Sequence, residues 1–331
     1  MVSPAPQVLH SAPYQEPFSG AEAWRGSDFE EPGGGVYYLK PETVAEMEQN
    51  AERLRSDDRV LFSITRDDFP LPSFSADAAV LRNRLRAGTG FVIVKGLPIE
   101  RYTEHEASLL YWGLGMHLGR PIPQNVKGDL LYSVRDEGYV IDRDYGVVAG
   151  VRTSKTTAKL NYHTDSPCLM AGNTPDIVCL LTLQTAKSGG ESAIISGATV
   201  HNILLAERPD YLARLYQPFH MDRRAETPPG EPAIVDVPVL AYGGELRVRY
   251  LRLYITKGHE FTGDPLDAAG KNALDYLDGI MNRDGIPFTF GMDRGDMQFV
   301  NNVFIPHSRT EFQDYPEPER KRHYMRLWLA N

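Results

Sequence analysis

The second half of the chain carries a succession of short apolar, β-branched runs, at 177–184, 192–196, 234–241, 246–251, 297–304 and 324–329. Only two helical patterns, near 200–215 and 267–282, interrupt them convincingly. Parallel neighbours need a crossover of a dozen or more residues, usually a helix, whereas antiparallel neighbours need only a turn. Many strands with few crossovers therefore predict an antiparallel barrel or jelly roll rather than a doubly wound sheet. No internal repeat is visible.

Upstream, residues 1–40 are rich in Pro, Gly and Ser and end in Glu31-Pro32-Gly33-Gly34-Gly35, which favours turns. They read as an arm or wrapping extension. The spacing of Val44, Met47, Ala51 and Leu54 after Lys40-Pro41 predicts a helix from Pro41 to about Arg55. A second helix is expected over 76–86, a glycine-bounded strand over 90–96 and a third helix over 104–119. Residues 136–159 mix charges, glycines and threonines without a period and predict a long loop, a class that often forms lids. The expected organisation is an extension over 1–80 packed on a β domain over 81–331. That domain has a lid loop near 136–160 and a helical insert near 200–290.

A net charge of −9 disfavours a broad nucleic-acid or anionic-membrane surface, because such partners are held through clustered Lys and Arg. No apolar stretch approaches the roughly 20 residues needed to cross a bilayer, and Met1 to Gly20 lacks the features of a secretory signal. A cytoplasmic location is expected; the sequence is compatible with a homo-oligomer. Cys168 and Cys179 are too few for a disulfide framework and read as inert, partly buried thiols.

His163-Thr164-Asp165 offers an imidazole and a carboxylate two residues apart, and in an extended segment such residues share a face. The triplet alone is weak, since His220-Met221-Asp222 also matches. That second triplet runs into Arg223-Arg224-Ala225-Glu226 and Pro228-Pro229-Gly230 and reads as a charged surface connection. The first leads into Ser166-Pro167-Cys168-Leu169-Met170 and a strand, a rigid edge on which a metal site can be held. His307, after Phe299-Val300-Asn301-Asn302-Val303-Phe304-Ile305-Pro306, is the best candidate for a third ligand. Two histidines and a carboxylate on one face of an ion suit non-haem iron(II), and zinc hydrolysis could use a similar set.

Four motifs occur in order: His163-Thr164-Asp165, then Ser188-Gly189-Gly190-Glu191-Ser192, then His307-Ser308-Arg309-Thr310-Glu311-Phe312, then Arg320-Lys321-Arg322-His323-Tyr324-Met325-Arg326-Leu327-Trp328-Leu329. With them, from about Gly90 to the C-terminus, the chain resembles the taurine dioxygenase-like family of iron(II)- and 2-oxoglutarate-dependent oxygenases. The resemblance implies a mainly β fold with flanking helices, a double-stranded β-helix of the jelly-roll, cupin-like kind. It implies that His163, Asp165 and His307 are the metal ligands and that Arg322 binds the distal carboxylate of 2-oxoglutarate, assisted by Ser192. It further implies that Arg326 faces an anionic group of the primary substrate, with Gln124 and Asn125 lying where relatives place substrate-facing polar residues. An arginine fork suits a carboxylate through two charge-assisted hydrogen bonds. Phe312, Tyr315 and Trp328 read as core.

The implied chemistry uses Fe(II), 2-oxoglutarate and O2 to oxidise a small-molecule substrate, releasing succinate and CO2. Hydroxylation is the default, with desaturation or oxidative cyclisation using the same ligands. Asp165 disfavours halogenation, because halogenating relatives carry a small residue there. A cupin-like metal-dependent hydrolase or isomerase, and a catalytically silent 2-oxoglutarate-binding protein, are the other classes. The hydrolase would need no cosubstrate arginine.

Overall fold

Ile177–Gln184 and His323–Ala330 are the longest strands among the described residues, and they pair antiparallel at the heart of a seven-stranded sheet. The sheet runs Val36–Tyr38, Phe91–Lys95, Met297–Asn301, Ile177–Gln184, His323–Ala330, Arg120–Pro121, and Leu131–Val134 also pairs with His323–Ala330. All pairings are antiparallel except that of Val36–Tyr38 with Phe91–Lys95. The computed structural model describes residues 12–29, 33–55, 60–145, 151–168, 174–224 and 226–331.

Alternation along these strands divides the molecule. Ile177, Cys179, Leu181, Met297, Phe299, Met325, Leu327 and Leu329 point to one side, where they share a core with the helices Pro41–Arg55, Ser75–Ala87 and Glu104–Met116. Val178, Leu180, Gln298 and Arg326 point to the other side and line a cavity. Its opposite wall is a four-stranded antiparallel sheet of Phe288–Phe290, Ser192–Ile194, His307–Arg309 and Leu160–His163. Two facing sheets of mostly antiparallel strands with helices outside them form the expected jelly roll.

Several expected elements differ in detail. The expected helix over 200–215 is two helices, Gly197–Glu207 and Pro209–Leu215, because the proline ring disfavours helical backbone at Arg208, whose φ is −146°. The run over 234–241 is likewise two strands, Ile234–Pro238 pairing with Pro218–Asp222, and Leu240–Tyr242 pairing with Leu246–Val248. His220-Met221-Asp222 thus lies in a paired strand, not in a loose connection. A helix over Arg252–Thr262 was not expected; its apolar stripe is short, and Gly263 ends it in the left-handed conformation.

The segment expected as a long loop contains the short helix Ile141–Asp144 and the 3-10 turn Thr153–Lys155. The Glu137 amide donates to the Lys155 carbonyl at 3.0 Å, and the two side chains pair at 2.8 Å, closing the segment at its base. Residues 146–150 of it lie outside the described residues, as do Glu31, Pro32, Leu169 and Met170. The N-terminal arm is tied down: Trp24 Nε1 donates to the Thr89 carbonyl, and Asn202 exchanges two hydrogen bonds with the Phe18 backbone. Among the described residues no helix is long and apolar enough to cross a membrane.

Gly258 marks where the unexpected helix meets the Pro218–Asp222 strand. A Cβ there would lie 2.3 Å from the His220 carbonyl oxygen, a backbone atom that the strand pairing holds in place. Alanine is worth about 1 kcal/mol over glycine inside a helix, but overpacking typically costs about 1–3 kcal/mol. Gly258→Ala should therefore destabilise the protein, read as a lower denaturation midpoint; a raised midpoint would show that the two elements separate freely.

Candidate functional site

His163 ends the strand Leu160–His163 and stands directly opposite His307, the first residue of the strand His307–Arg309. Their ring centroids are 4.4 Å apart. Asp165 follows two residues after His163, with its Oδ1 3.6 Å from His163 Nε2 and 4.0 Å from His307 Nε2. The three donor atoms all lie within 4.8 Å of one another, and all three residues are buried. Donors on neighbouring positions of one ion, at bond lengths of about 2.1 Å, are about 3 Å apart. A small inward shift of the side chains is enough for these residues to hold a metal ion.

Their protonation suits the role. The Nδ1 of His163 is 2.9 Å from the Asn161 carbonyl, which can only accept, so Nδ1 carries a proton and Nε2 is the ring nitrogen turned toward Asp165. Burial, reinforced by the neighbouring His163, pushes His307 down to about 3, so it is neutral at pH 7. Burial alone would raise the Asp165 carboxyl, but the Arg326 guanidinium holds it well below the usual carboxylate range.

The outer oxygen of Asp165 is fully engaged. Arg326 Nη1 donates to Oδ2 at 3.0 Å and Trp328 Nε1 donates at 2.8 Å, leaving Oδ1 to face the histidines. The backbone beside it is clamped as well. Asn302 Oδ1 accepts from the Asp165 amide at 2.7 Å while its Nδ2 donates to the Asp165 and Pro175 carbonyls. Thr164 and Tyr250 exchange two further bonds, and Ser166 takes a φ of +51°, turning the chain away. Such outer partners orient metal ligands and typically matter about 10- to 100-fold in affinity.

Arg322 is 3% exposed, and its Nε and Nη1 have no hydrogen-bond partner. Its guanidinium lies 3.7 Å from the Tyr324 ring centroid and 5.2 Å from that of Phe312. Burial depresses its pKa and that of Arg309, which is pushed down to about 9 by burial and by Arg322. Among the described residues no carboxylate lies within ion-pair distance of either. Arg309 donates to the Thr310, Thr156 and Ala158 carbonyls, so it lacks only a counter-charge, whereas Arg322 also has free donors; together they suit an incoming carboxylate. Ser192, also on the cavity wall, has only Met292 Sδ at 3.8 Å as a partner for its hydroxyl.

The structure brings six of the eight expected site residues to one cavity: His163, Asp165, His307, Arg322, Ser192 and Arg326. Gln124 and Asn125 do not line it. Gln124 is fully buried, donates to the Leu130 and Arg326 carbonyls and accepts from Arg326 Nε at 2.8 Å, so it orients Arg326. Asn125 closes its own turn through Lys127 and Asp129. Trp328, expected as core, is core and also a hydrogen-bond donor to Asp165. The period-two set Arg322, Tyr324, Arg326, Trp328 carried that signal. Arg309 was missed although it shares a strand face with His307; Arg152, Arg224 and Tyr254 also line the cavity and come from segments without a readable period.

Comparison with known proteins places this geometry in a wider set. The model of the family described as taurine catabolism dioxygenase TauD, TfdA family matches residues 56–328. FR-33289 synthase of Streptomyces rubellomurinus is 30% identical over 319 residues, covering 95% of this chain and 91% of the relative. A taurine hydroxylase-like protein, SAT17, of Stachybotrys chartarum is 26% identical over 311 residues, 92% of this chain and 77% of the relative. An asparagine oxygenase solved with Fe(II), 3-hydroxyasparagine and succinate shares the fold at a TM-score of 0.69 and 16% identity, over 89% of this chain and 93% of its own. The oxygenase OrfP, solved with Fe and α-ketoglutaric acid, does so at 0.62 and 15%, over 89% and 94%.

Trp328→Phe keeps the ring in the core and removes one donor from Asp165. Cobalt(II) affinity, measured by competition with a chelator, should fall by about tenfold or more. Unchanged affinity would show that this hydrogen bond does not orient the carboxylate.

Proposed function

Because the chain belongs to the TauD/TfdA family of iron(II)- and 2-oxoglutarate-dependent oxygenases, we propose that His163, Asp165 and His307 hold its iron and that Arg322 and Ser192 receive the far carboxylate of 2-oxoglutarate. The observation that carries this reading is the pairing, in one cavity, of a buried three-donor cluster with a buried arginine whose Nε and Nη1 lack partners. A hydrolase or isomerase would have no use for that arginine. Iron(II), 2-oxoglutarate and O2 together supply the oxidation of an unactivated C–H bond.

The protein's own part is orientation and exclusion of water. Trp328 and Arg326 fix which oxygen of Asp165 faces the metal, and Asn302 fixes the backbone behind it. Arg322 and Arg309 supply positive charge where the cosubstrate carboxylate is drawn in. Val178, Leu180, Leu160 and Leu251 supply apolar wall. Residues 81–331 carry the chemistry; within the 1–80 extension, the helix Pro41–Arg55 and the 60–80 stretch buttress the outer face of the large sheet, while Tyr14 and Phe18 pack against the helical insert. The helical insert near 200–290 brings Arg224 and Tyr254 to the cavity, and the segment 136–160 serves as its lid through Val151, Arg152, Thr153 and Ser154.

The substrate is a small, carboxylate-bearing or amino acid-like molecule, with hydroxylation as the default outcome. Support comes from the cationic cavity and from the hydroxylated amino acids bound to the asparagine oxygenase and to OrfP.

Anaerobic titration with iron(II) and 2-oxoglutarate should give one equivalent of each per chain and a visible charge-transfer band, followed in air by succinate release. His163→Ala should abolish the band. His220→Ala should leave it intact, since His220 is hydrogen-bonded to Asp236 and Asp264 and stands outside the cluster. The opposite pattern overturns the ligand assignment. Arg322→Ala should weaken 2-oxoglutarate binding about a hundredfold or more, the usual scale for removing one side of a buried charge pair. A shift of less than about threefold removes Arg322 from the cosubstrate site.

A further inference from the structure

Five arginines but only one carboxylate, Asp165, line the cavity among the described residues. They fall into two groups. Arg322 depresses Arg309, and the two belong with the cosubstrate. Arg326 is instead influenced by Asp165, Arg152 and Tyr254. The guanidiniums of Arg326 and Arg152 stand 5.1 and 5.2 Å from the centroid of the same Tyr132 ring. Arg224 Nη1 donates to the Tyr254 hydroxyl at 2.9 Å, which ties the third arginine to this group.

The donors left over decide what the group can bind. Arg326 is engaged through Nε and Nη1, so only Nη2 is unpartnered, and that atom is buried. Arg152, 7% exposed, pairs with Glu226 through Nη2 at 3.0 Å, while its buried Nε has no partner. Glu226 accepts from the Val126 amide through its other oxygen, so the ion pair takes up one nitrogen of Arg152 and leaves Nε for a further acceptor. Arg224 donates to the Tyr254 hydroxyl and the Val151 carbonyl, both neutral, and no carboxylate of the described residues lies within ion-pair distance of it. Its backbone sits at φ +56°, held by a bond from its amide to Asp222 Oδ1 at 2.7 Å, whereas the adjacent Arg223 is paired with Glu231. Arg224, half-buried, is thus the one arginine of the three without a counter-charge among the described residues, while Arg152 and Arg326 each keep one buried N–H unpaired; such groups are costly unless an acceptor completes them.

We propose that Arg152, Arg224 and Tyr254, with Nη2 of Arg326, form a subsite for an oxyanion on the primary substrate. This rests on the oxygenase reading and sharpens it. The substrate carries a carboxylate, sulfonate or phosphonate group, and recognition falls mainly on Arg152 and Arg224, because Arg326 has a single donor left. These two arginines come from the 151–155 segment and the 218–224 strand end, so a bound oxyanion joins the lid to the helical insert.

Calorimetry on the full chain, held anaerobically with iron(II) and 2-oxoglutarate, tests this. The probes are β-alanine, taurine and 2-aminoethylphosphonate, with ethanolamine as the control whose head group carries no negative charge. At least one anionic probe should bind, ethanolamine should not, and the preferred head group identifies which oxyanion the site takes. Arg224→Met should weaken that binding by about tenfold or more, as loss of a charge-assisted hydrogen bond does. Arg152→Met combined with Glu226→Gln, which avoids stranding a carboxylate, should do the same. Both variants should keep 2-oxoglutarate affinity within about twofold and retain the visible band, which shows that they are folded; Arg224→Lys should recover part of the loss. The subsite is refuted if the protein takes up iron and 2-oxoglutarate but no anionic probe. It is equally refuted if ethanolamine binds as well as the anions, or if the variants bind the preferred probe as tightly as the parent. Failure to take up iron and 2-oxoglutarate strikes the proposed function itself, a result distinct from the other three.

Discussion

The meeting of Asp165 and Arg326, 3.0 Å apart and each less than a tenth exposed, is the contact on which the arrangement of the cavity depends. Asp165 extends the edge strand of the small sheet and Arg326 stands on the last strand of the large one. Their pairing therefore fixes the separation and register of the two walls. Either charge alone at that depth would be prohibitive, and removing one partner of such a pair typically costs about 3–5 kcal/mol. The additional bonds from Trp328 and to Gln124 satisfy what the pair itself leaves over. The same contact decides the chemistry, since it occupies one carboxylate oxygen and leaves the other for a cation.

Strand alternation lets one segment serve both stability and function. In His323–Ala330, Met325, Leu327 and Leu329 enter the helix-covered core while Tyr324, Arg326 and Trp328 face inward between the sheets. A slip of one residue would drive the arginine into the helical core and a leucine into the metal cavity. Pairing along nearly the whole length of Ile177–Gln184, with one irregularity between His323 and Tyr324, makes that slip costly. The irregularity falls at the end that carries Arg322, where the chain turns a long side chain into the cavity rather than continue the ladder.

How much of this was legible follows from the same period. The large-sheet strands after residue 177 and the alternating arginines were readable because a two-residue repeat is a direct consequence of strand geometry. The choice of His163 over His220 was readable only from context, and the structure shows that part of the context was misread, since Pro218–Asp222 is itself a strand. What separates the two histidines is the company each keeps: His163 faces His307 across a pairing, whereas His220 faces Asp236 and Asp264 near the surface. Gln124 lies where relatives place substrate-facing polar residues, which suggested a substrate contact, but a buried amide is drawn first to whichever polar groups most need it, here the backbone and guanidinium of Arg326. Arg152 and Arg224 were not legible at all. Their positions depend on irregular backbone, and in Arg224 on a left-handed residue stabilised by one side-chain bond, for which no repeat exists.

The contrast between the outside and the inside of the molecule completes the physical picture. The chain carries a net charge of −9, yet the wall of its cavity is rich in arginine. A long-range field that repels anions would slow their approach, but screening confines it to roughly 8–10 Å at ordinary ionic strength. Within the cavity, apolar walls lower the local dielectric, and the interaction of a carboxylate with two guanidiniums there outweighs the distant surface charge. Arginines that repel one another also raise the energy of the ligand-free protein. Anionic ligands that neutralise them therefore stabilise the fold in proportion to their binding, by about 2.7 kcal/mol at a concentration one hundred times the dissociation constant. On the proposed reading, cosubstrate and substrate act as the missing counter-ions of the interior, and the elements that converge on the cavity, the last strand, the 151–155 segment and the helical insert, are held together most firmly when the site is loaded.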